Sequence, residues 1–467
     1  MRMTLRWRWA FALLTVALVV TCDVLTMLWS GPTPRVLGSF ILPASRLTIE
    51  TAFAALLLAS SVAVSPVPHK RLVLLLSSFA FFLGNGRYLG SGDMAPTRVL
   101  PLIFLREHTL FLDSLHDRSS YAFTLVGSHT LSRYPIATSF LAIPFYLPSA
   151  LGHFDPNSDA LYELDSIAAA GLTSVSVLFL FSVFTQNTGN ERDARWVTLA
   201  YFAGTAAATI FGKALWQHTG AGFSLSLAVA GLYCVRTWWR QGLAVGLCAG
   251  LAVACRSVDI ILAAALIAAL AVESRKGAAL AAGGVGFFLA LVGLYNWRLF
   301  GSPLATGYGA EASEGWTGFW PGGLAGILVS PARGIFLYSP CLLFAVFALA
   351  KNRGMVFSRE RMLLSGLFFY WLLLGKWGGW TGSYCASYRM VSDTLPLFAP
   401  GLALAWRERS RHRLQAACVW SVATQCLIAF GLVHGTQSDR FLSGEPPWSP
   451  LTFGPLAYVV DAWRSLF

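Results

Sequence analysis

Apolar runs of roughly bilayer length recur along this chain and limit what it can fold into. They lie near 10–29, 47–65, 71–90, 166–184, 196–212, 219–235, 241–255, 258–272, 277–297, 334–350, 362–376, 394–406 and 415–434. A helix needs roughly 20 apolar residues to cross a hydrocarbon core, fewer where neighbours shield it. Within lipid the backbone must satisfy its own hydrogen bonds, which leaves helices as the spanning element for runs of this length. Hydrophobic residues make up 56% of the 467 positions and charged residues 12%, with a mean hydropathy of +0.60. That balance excludes an ordinary soluble domain. The expectation is an all-α polytopic membrane protein, a bundle of about 11–13 transmembrane helices.

A net charge of +12 would suit nucleic acid, but its distribution favours membrane topology. With the N-terminus in the cytoplasm, the inner segments hold 19 Lys/Arg against 5 Asp/Glu, and everything else holds 15 against 17. Basic residues therefore gather in alternate loops, as the positive-inside rule requires. Residues 1–21 resemble a signal peptide, yet no small-x-small cleavage site follows, so a retained first helix is expected. The eight cysteines form no CxxC pair and read as packing residues.

This orientation makes residues 1–434 a single transmembrane domain and 435–467 a periplasmic tail. The long segments fall outside: the first loop 85–165, then 298–333 and 376–393. In the first loop, 134–150 is apolar but holds three prolines. As a full span it would invert every later loop, so it reads as an interfacial or re-entrant helix. Residues 96–111 read as an amphipathic helix lying on the membrane.

The sequence lacks GxxxxGK, GxGxxG after a strand, HExxH and GxSxG, so soluble-nucleotide, metalloprotease and serine-hydrolase chemistry have no support. No cofactor and no metal site is called for. What remains is a set of outer-face ionisable residues at the ends of apolar runs: Asp93, Lys213, His218, Arg256, Asp259, Arg298, Arg333, Lys376, Arg389 and Asp393. Such groups mark functional paths. An Arg-rich cluster where hydrocarbon meets water suits a lipid phosphate, whose oxygens a guanidinium can fork onto. If that phosphate carries a sugar it is also a leaving group that needs no proton. One carboxylate then suffices, to take the acceptor hydroxyl's proton, and Asp93 in its Ser-Gly-Asp turn is the candidate.

The stretches SGDMAPTRVLP, SRYPIATSFLAIPFYL, YNWRLFGSPLATGYG, GILVSPARGIFLYSP and KWGGWTGSYCASYRMVSDTLP occur in an order that resembles the outer-loop motifs of the C-type (GT-C) membrane glycosyltransferase superfamily. Over residues 85–400 the chain looks like bacterial family 39-like relatives of the protein O-mannosyltransferases and aminoarabinose transferases. The resemblance implies a helical bundle with periplasmic juxtamembrane helices and a polyprenyl-phosphate sugar donor, hexosyl or pentosyl. It also implies a lipid, glycan or protein acceptor and a site on the periplasmic face of the bacterial inner membrane. Asp93 matches the catalytic Asp. Arg333 and Arg389 fall in matching later loops and, with Lys213, His218 and Arg256, would bind the donor phosphate. Trp377, Trp380, Trp316 and Tyr308 would contact sugar or acceptor. The chain departs from the pattern in having Met94 where relatives often carry Glu, and YRMV in its last motif.

Plainer roles compete. Asp93 suits an N-cap of the following helix, Arg98 and Arg106 suit snorkelling to headgroups, and Arg256 with Asp259 suits a mutual ion pair. At the level of function the alternatives are a lipid-linked glycan flippase or transporter, a glycan polymerase or ligase, and a member that has lost activity.

Overall fold

A computed structural model describes residues 70–83, 90–118, 120–151, 155–158, 160–351, 358–382, 385, 387–408, 411–429, 446–454 and 456. Helices dominate it: α1 Lys70–Leu83, α2 Ala95–Glu107, α3 Ala137–Leu151, α4 Leu161–Thr188, α5 Glu191–Ala203, α6 Gln217–Cys234 and α7 Trp238–Cys255. They continue with α8 Ile260–Glu273, α9 Arg275–Phe300, α10 Trp320–Val329, α11 Cys341–Lys351, α12 Arg359–Lys376, α13 Leu395–Trp406 and α14 Arg411–Ala429. Eleven of the thirteen expected segments fall on these helices. The two expected at 10–29 and 47–65 lie outside the described residues, as does most of the 435–467 tail.

Among the described helices, α4 and α9 are long and apolar enough to span a bilayer by length and composition. Some of the others match or exceed their apolar runs, as α7 and α12 do, and some are shorter. The segment read as 196–212, for example, divides into α5, a Gly-Thr break and a π-helical turn Ala207–Phe211. Helix α4 is largely enclosed by its neighbours, whereas most of α9 lies on the surface with Phe287, Leu289, Leu291 and Leu294 exposed. An apolar face of that extent suits hydrocarbon better than water.

Small residues set the tightest helix contact. In GxxxGxxxG, Gly242, Gly246 and Gly250 recur one turn apart on α7 and meet Gly277, Ala281 and Gly284 of α9. Because the contacts advance together, the two helices run parallel, with α8 returning between them. Close backbone approach of this kind is the way membrane helices associate when burial from water offers no net drive.

The first loop is folded. Both helices read there are present: α2 starts with proline in its first turn, and α3 contains Pro144 and Pro148. Between them lies a hairpin absent from the sequence reading, β1 Phe123–Val126 paired antiparallel with β2 His129–Ser132. Gly127 turns it at φ 61°, a conformation glycine adopts without steric cost. The seven described cysteines are free thiols.

A Cβ at position 246 would stand 2.5 Å from the Ala281 carbonyl oxygen, so Gly246→Val should cost about 1–3 kcal/mol of stability through overpacking. At Gly283 on α9 an added Cβ meets nothing within 4 Å, so Gly283→Ala should be neutral or stabilising by up to ~1 kcal/mol. Thermal unfolding in detergent reads both.

Candidate active site

Asp93 sits in a single 3-10 turn, Gly92–Met94, whose N-cap Ser91 accepts a hydrogen bond from the Asp93 amide at 3.4 Å. Met94 takes the cap position of α2 and makes no side-chain bond there. The Asp93 carboxylate is therefore not a helix cap, and it engages two distant residues instead. The Tyr121 hydroxyl donates to its Oδ1, and Arg389 Nη1 donates to its Oδ2 at 2.6 Å. Partial burial pushes the carboxyl up. The Arg389 charge and the bonds from Tyr121, Arg389 and Ser91 outweigh that, so it lies below the ordinary value and is ionised at neutral pH. The Tyr121 phenol moves the other way, to about 12, first by burial and then through its bond to the carboxylate.

Arg389 opens the 3-10 helix Arg389–Thr394. It is buried, donates from Nη2 to the Gly382 carbonyl at 2.8 Å, and lies 4.4 Å over the Trp216 ring. Gly382 holds φ 71°, which a side chain would strain. On the same short helix Asp393 forms a second, buried cluster. It meets His218 Nδ1 at 2.9 Å, pairs with Arg256, and accepts from Tyr370 at 2.9 Å. Asp259 lies within 3.0 Å of the same Tyr370 hydroxyl. Arg256 pairs with Asp393, and not with Asp259 as the mutual ion pair predicts.

Other expected phosphate ligands are engaged elsewhere. Arg333 Nε donates to the Thr381 carbonyl at 2.6 Å and its Nη1 to Ala332 at 3.0 Å, so Arg333 and Arg389 grip adjacent carbonyls of one loop. Lys213 Nζ donates to the Phe82 carbonyl at 2.6 Å, at the end of α1. Arg98 stacks 3.8 Å over Tyr162. Trp316 and Trp377 pack edge to face at 5.0 Å, and Trp380 lies against Gly326 of α10.

Tyr308 packs edge to face on Tyr134 at 5.4 Å. Both line a largely apolar cavity of about 390 Å³ between α3, α7, α9 and the 302–308 segment, with Leu251, Ala254, Phe288 and Leu291 among its walls. Asp93 is not one of its walls; its polar end is linked to the carboxylate through Arg133 and Tyr121. Burial and then the Asp93 charge raise the Tyr134 phenol, and Arg133, also a lining residue, donates to the Tyr121 carbonyl at 3.3 Å. Arg133 additionally pairs with Glu311.

The geometry thus joins Asp93 to Arg389, sets His218 and Arg256 on the adjoining Asp393 cluster, and leaves Arg333 and Lys213 on backbone carbonyls. Tyr121, Arg133 and Tyr370 were not read as site residues. Tyr121 sits in SSYAFT, and Tyr370 lies inside an aromatic apolar run. Neither carries a motif, so no signal in the sequence marks them. Among the described residues no group of three or more His, Cys, Asp or Glu side chains is placed to hold a metal ion.

No protein-family model and no curated protein sequence matches the chain. Among solved structures it is similar to ArnT from Cupriavidus metallidurans bound to undecaprenyl phosphate, at 11% identity and TM-score 0.47, over 83% of this chain and 74% of that one. It is also similar to the apo oligosaccharyltransferase of Archaeoglobus fulgidus, at 12% identity and TM-score 0.38, over 82% of this chain and 54% of the other. A third likeness is to AglB of the same organism in complex with an inhibitory peptide and a dolichol-phosphate, at 12% identity and TM-score 0.40, over 79% and 56%. The chain spans little more than half the length of the two archaeal structures.

Because the folded carboxyl of Asp93 lies below its unfolded value, the stability it contributes is present above the unfolded carboxylate range and is lost as pH falls through the folded value. The difference in unfolding midpoint between wild type and Asp93→Asn should be full above about pH 5 and shrink progressively below about pH 4. A pH series of thermal melts measures it.

Proposed function

We propose that this chain is an inverting GT-C-type membrane glycosyltransferase with Asp93 as base. Its donor is a polyprenyl-phosphate sugar, and its acceptor is a hydroxyl on a lipid, glycan or protein. It works at the periplasmic face of a bacterial inner membrane, with its N-terminus in the cytoplasm and residues 1–434 as one transmembrane domain. The observation that carries this reading is Asp93 held by buried Arg389 and linked through Tyr121 and Arg133 to the polar end of an apolar cavity. A single carboxylate with a neighbouring guanidinium is what displacement of a phosphate requires, since phosphate departs without protonation.

In one step the acceptor oxygen attacks the anomeric carbon as its proton passes to Asp93. The bond from that carbon to the phosphate oxygen breaks, and polyprenyl phosphate leaves with the electron pair. Attack opposite the leaving group inverts the anomeric centre. Arg389 faces two ways in this scheme. It keeps Asp93 ionised, and its charge lies where negative charge grows on the departing phosphate, a form of preorganised stabilisation. The cavity walls at Leu251, Ala254 and Leu291 would take the first isoprene units, which need an apolar channel and no specific polar contact.

Asp93→Asn should lower transfer from a polyprenyl-phosphate sugar by about 10²- to 10⁴-fold, the range for losing a positioned base, while the protein still elutes as a single species in detergent. Transfer retained at wild-type rate removes Asp93 from the chemistry. In the cavity wall, Ala254→Trp should raise KM for the lipid donor by about tenfold, equivalent to ~1.4 kcal/mol, with kcat little changed. Initial rates across a donor concentration series separate the two parameters.

A further inference from the structure

We propose that the Tyr121 hydroxyl occupies the seat of the acceptor hydroxyl on Asp93, and that the acceptor's hydroxyl comes from the aqueous side and displaces it. The proposal rests on Asp93 being the base and names how its second substrate reaches it. A general base must lie within hydrogen-bond reach of the hydroxyl it deprotonates. In this structure an O–H group already stands in that relation to Asp93 Oδ1, and it belongs to Tyr121.

The two distant partners of Asp93 are not equally replaceable. Arg389 is buried, charged, and anchored by the Gly382 carbonyl and the Trp216 ring, so its bond to Oδ2 is the stronger one. Tyr121 is a neutral donor, 55% exposed, on a loop residue just before β1. Its phenol end packs against Gly92, where an added Cβ would stand 3.0 Å from Cε1 and 3.1 Å from the hydroxyl oxygen. The smallest residue at 92 lets the phenol reach Oδ1. Rotation of that one side chain outward frees the oxygen without breaking the hairpin, because Tyr121 is tied to Arg133 through its backbone carbonyl, not its ring.

The direction of approach follows from exposure. The apolar cavity lies between helices and has its polar end at Arg133, Tyr134 and Tyr308, which suits a lipid-borne donor. Tyr121 covers Asp93 from the solvent-exposed hairpin. A hydroxyl that takes its place is therefore one displayed in water, on a glycan, an exposed protein segment or a polar headgroup, and not one sunk in hydrocarbon.

Carbodiimide coupling of glycine methyl ester to carboxyls of the purified full chain in detergent, read site by site by mass spectrometry, tests the shielding. Tyr121→Phe keeps the ring and deletes the hydroxyl. It should speed Asp93 modification several-fold over wild type, leaving modification of Asp113 unchanged and lowering the thermal midpoint by no more than the loss of one hydrogen bond. Asp113 is the internal reference because its partners are His129 and the Thr130 amide, not Tyr121. Tyr121→Ala should accelerate labelling further. Equal Asp93 rates in wild type and Tyr121→Phe overturn the proposal. So does acceleration at Asp93 and Asp113 together, which would mean the hairpin has loosened. The experiment contains no donor, so its failure is distinct from a failure of Asp93→Asn to affect transfer.

Discussion

The ion pair between Arg389 and Asp93 joins residues 296 positions apart in the chain, and the site depends on it. A buried guanidinium is costly without a partner, and a carboxylate pressed against it is costly to protonate. Each therefore fixes the state of the other. The pair also ties the folded first loop to the segment before α13, so that α2, the hairpin and the 3-10 helix Arg389–Thr394 meet at one end of the bundle. Since Asp393 lies one turn along that same helix, its contacts with His218, Arg256 and Tyr370 set the angle from which Arg389 approaches. Helices α6, α7 and α12 thus support the carboxylate without touching it.

Much of this was legible in the sequence, for identifiable reasons. The helices follow from apolar runs, and the first-loop helices from the prolines of 134–150 and the amphipathic pattern of 96–111, because these are local properties. Asp93 and Arg389 stood out because ionised side chains at the ends of apolar runs are expensive and must be met by something. Which charge meets which was not legible. Arg333 and Lys213 carry the same signal as Arg389, yet they satisfy themselves on the carbonyls of Thr381 and Phe82. A backbone carbonyl leaves no trace in composition. Tyr121 and Tyr370 were missed for the converse reason: a hydroxyl on an aromatic ring is indistinguishable in sequence from a belt or core residue.

Glycine has separate uses in different parts of the molecule. On α7 it brings two parallel helices to backbone contact, which draws α7 and α9 into one wall of the cavity. Beside the site, Gly92 and Gly382 make room for Tyr121 and for the loop that receives Arg389. The first use is readable as a four-residue repeat, although the sequence reading did not weigh it. The second depends on which ring arrives from elsewhere and has no period to find.

Arg133 connects features treated so far as separate. One guanidinium lines the cavity, holds the carbonyl of Tyr121 and pairs with Glu311 in the segment between α9 and α10. Cavity and carboxylate are then linked through a shared side chain. Any factor by which an occupant of the cavity, in moving Arg133, alters binding at the carboxylate is matched by the same factor in the opposite direction, since such linkage is reciprocal. Coupling of the two places then needs one arginine and no rearrangement of the helices.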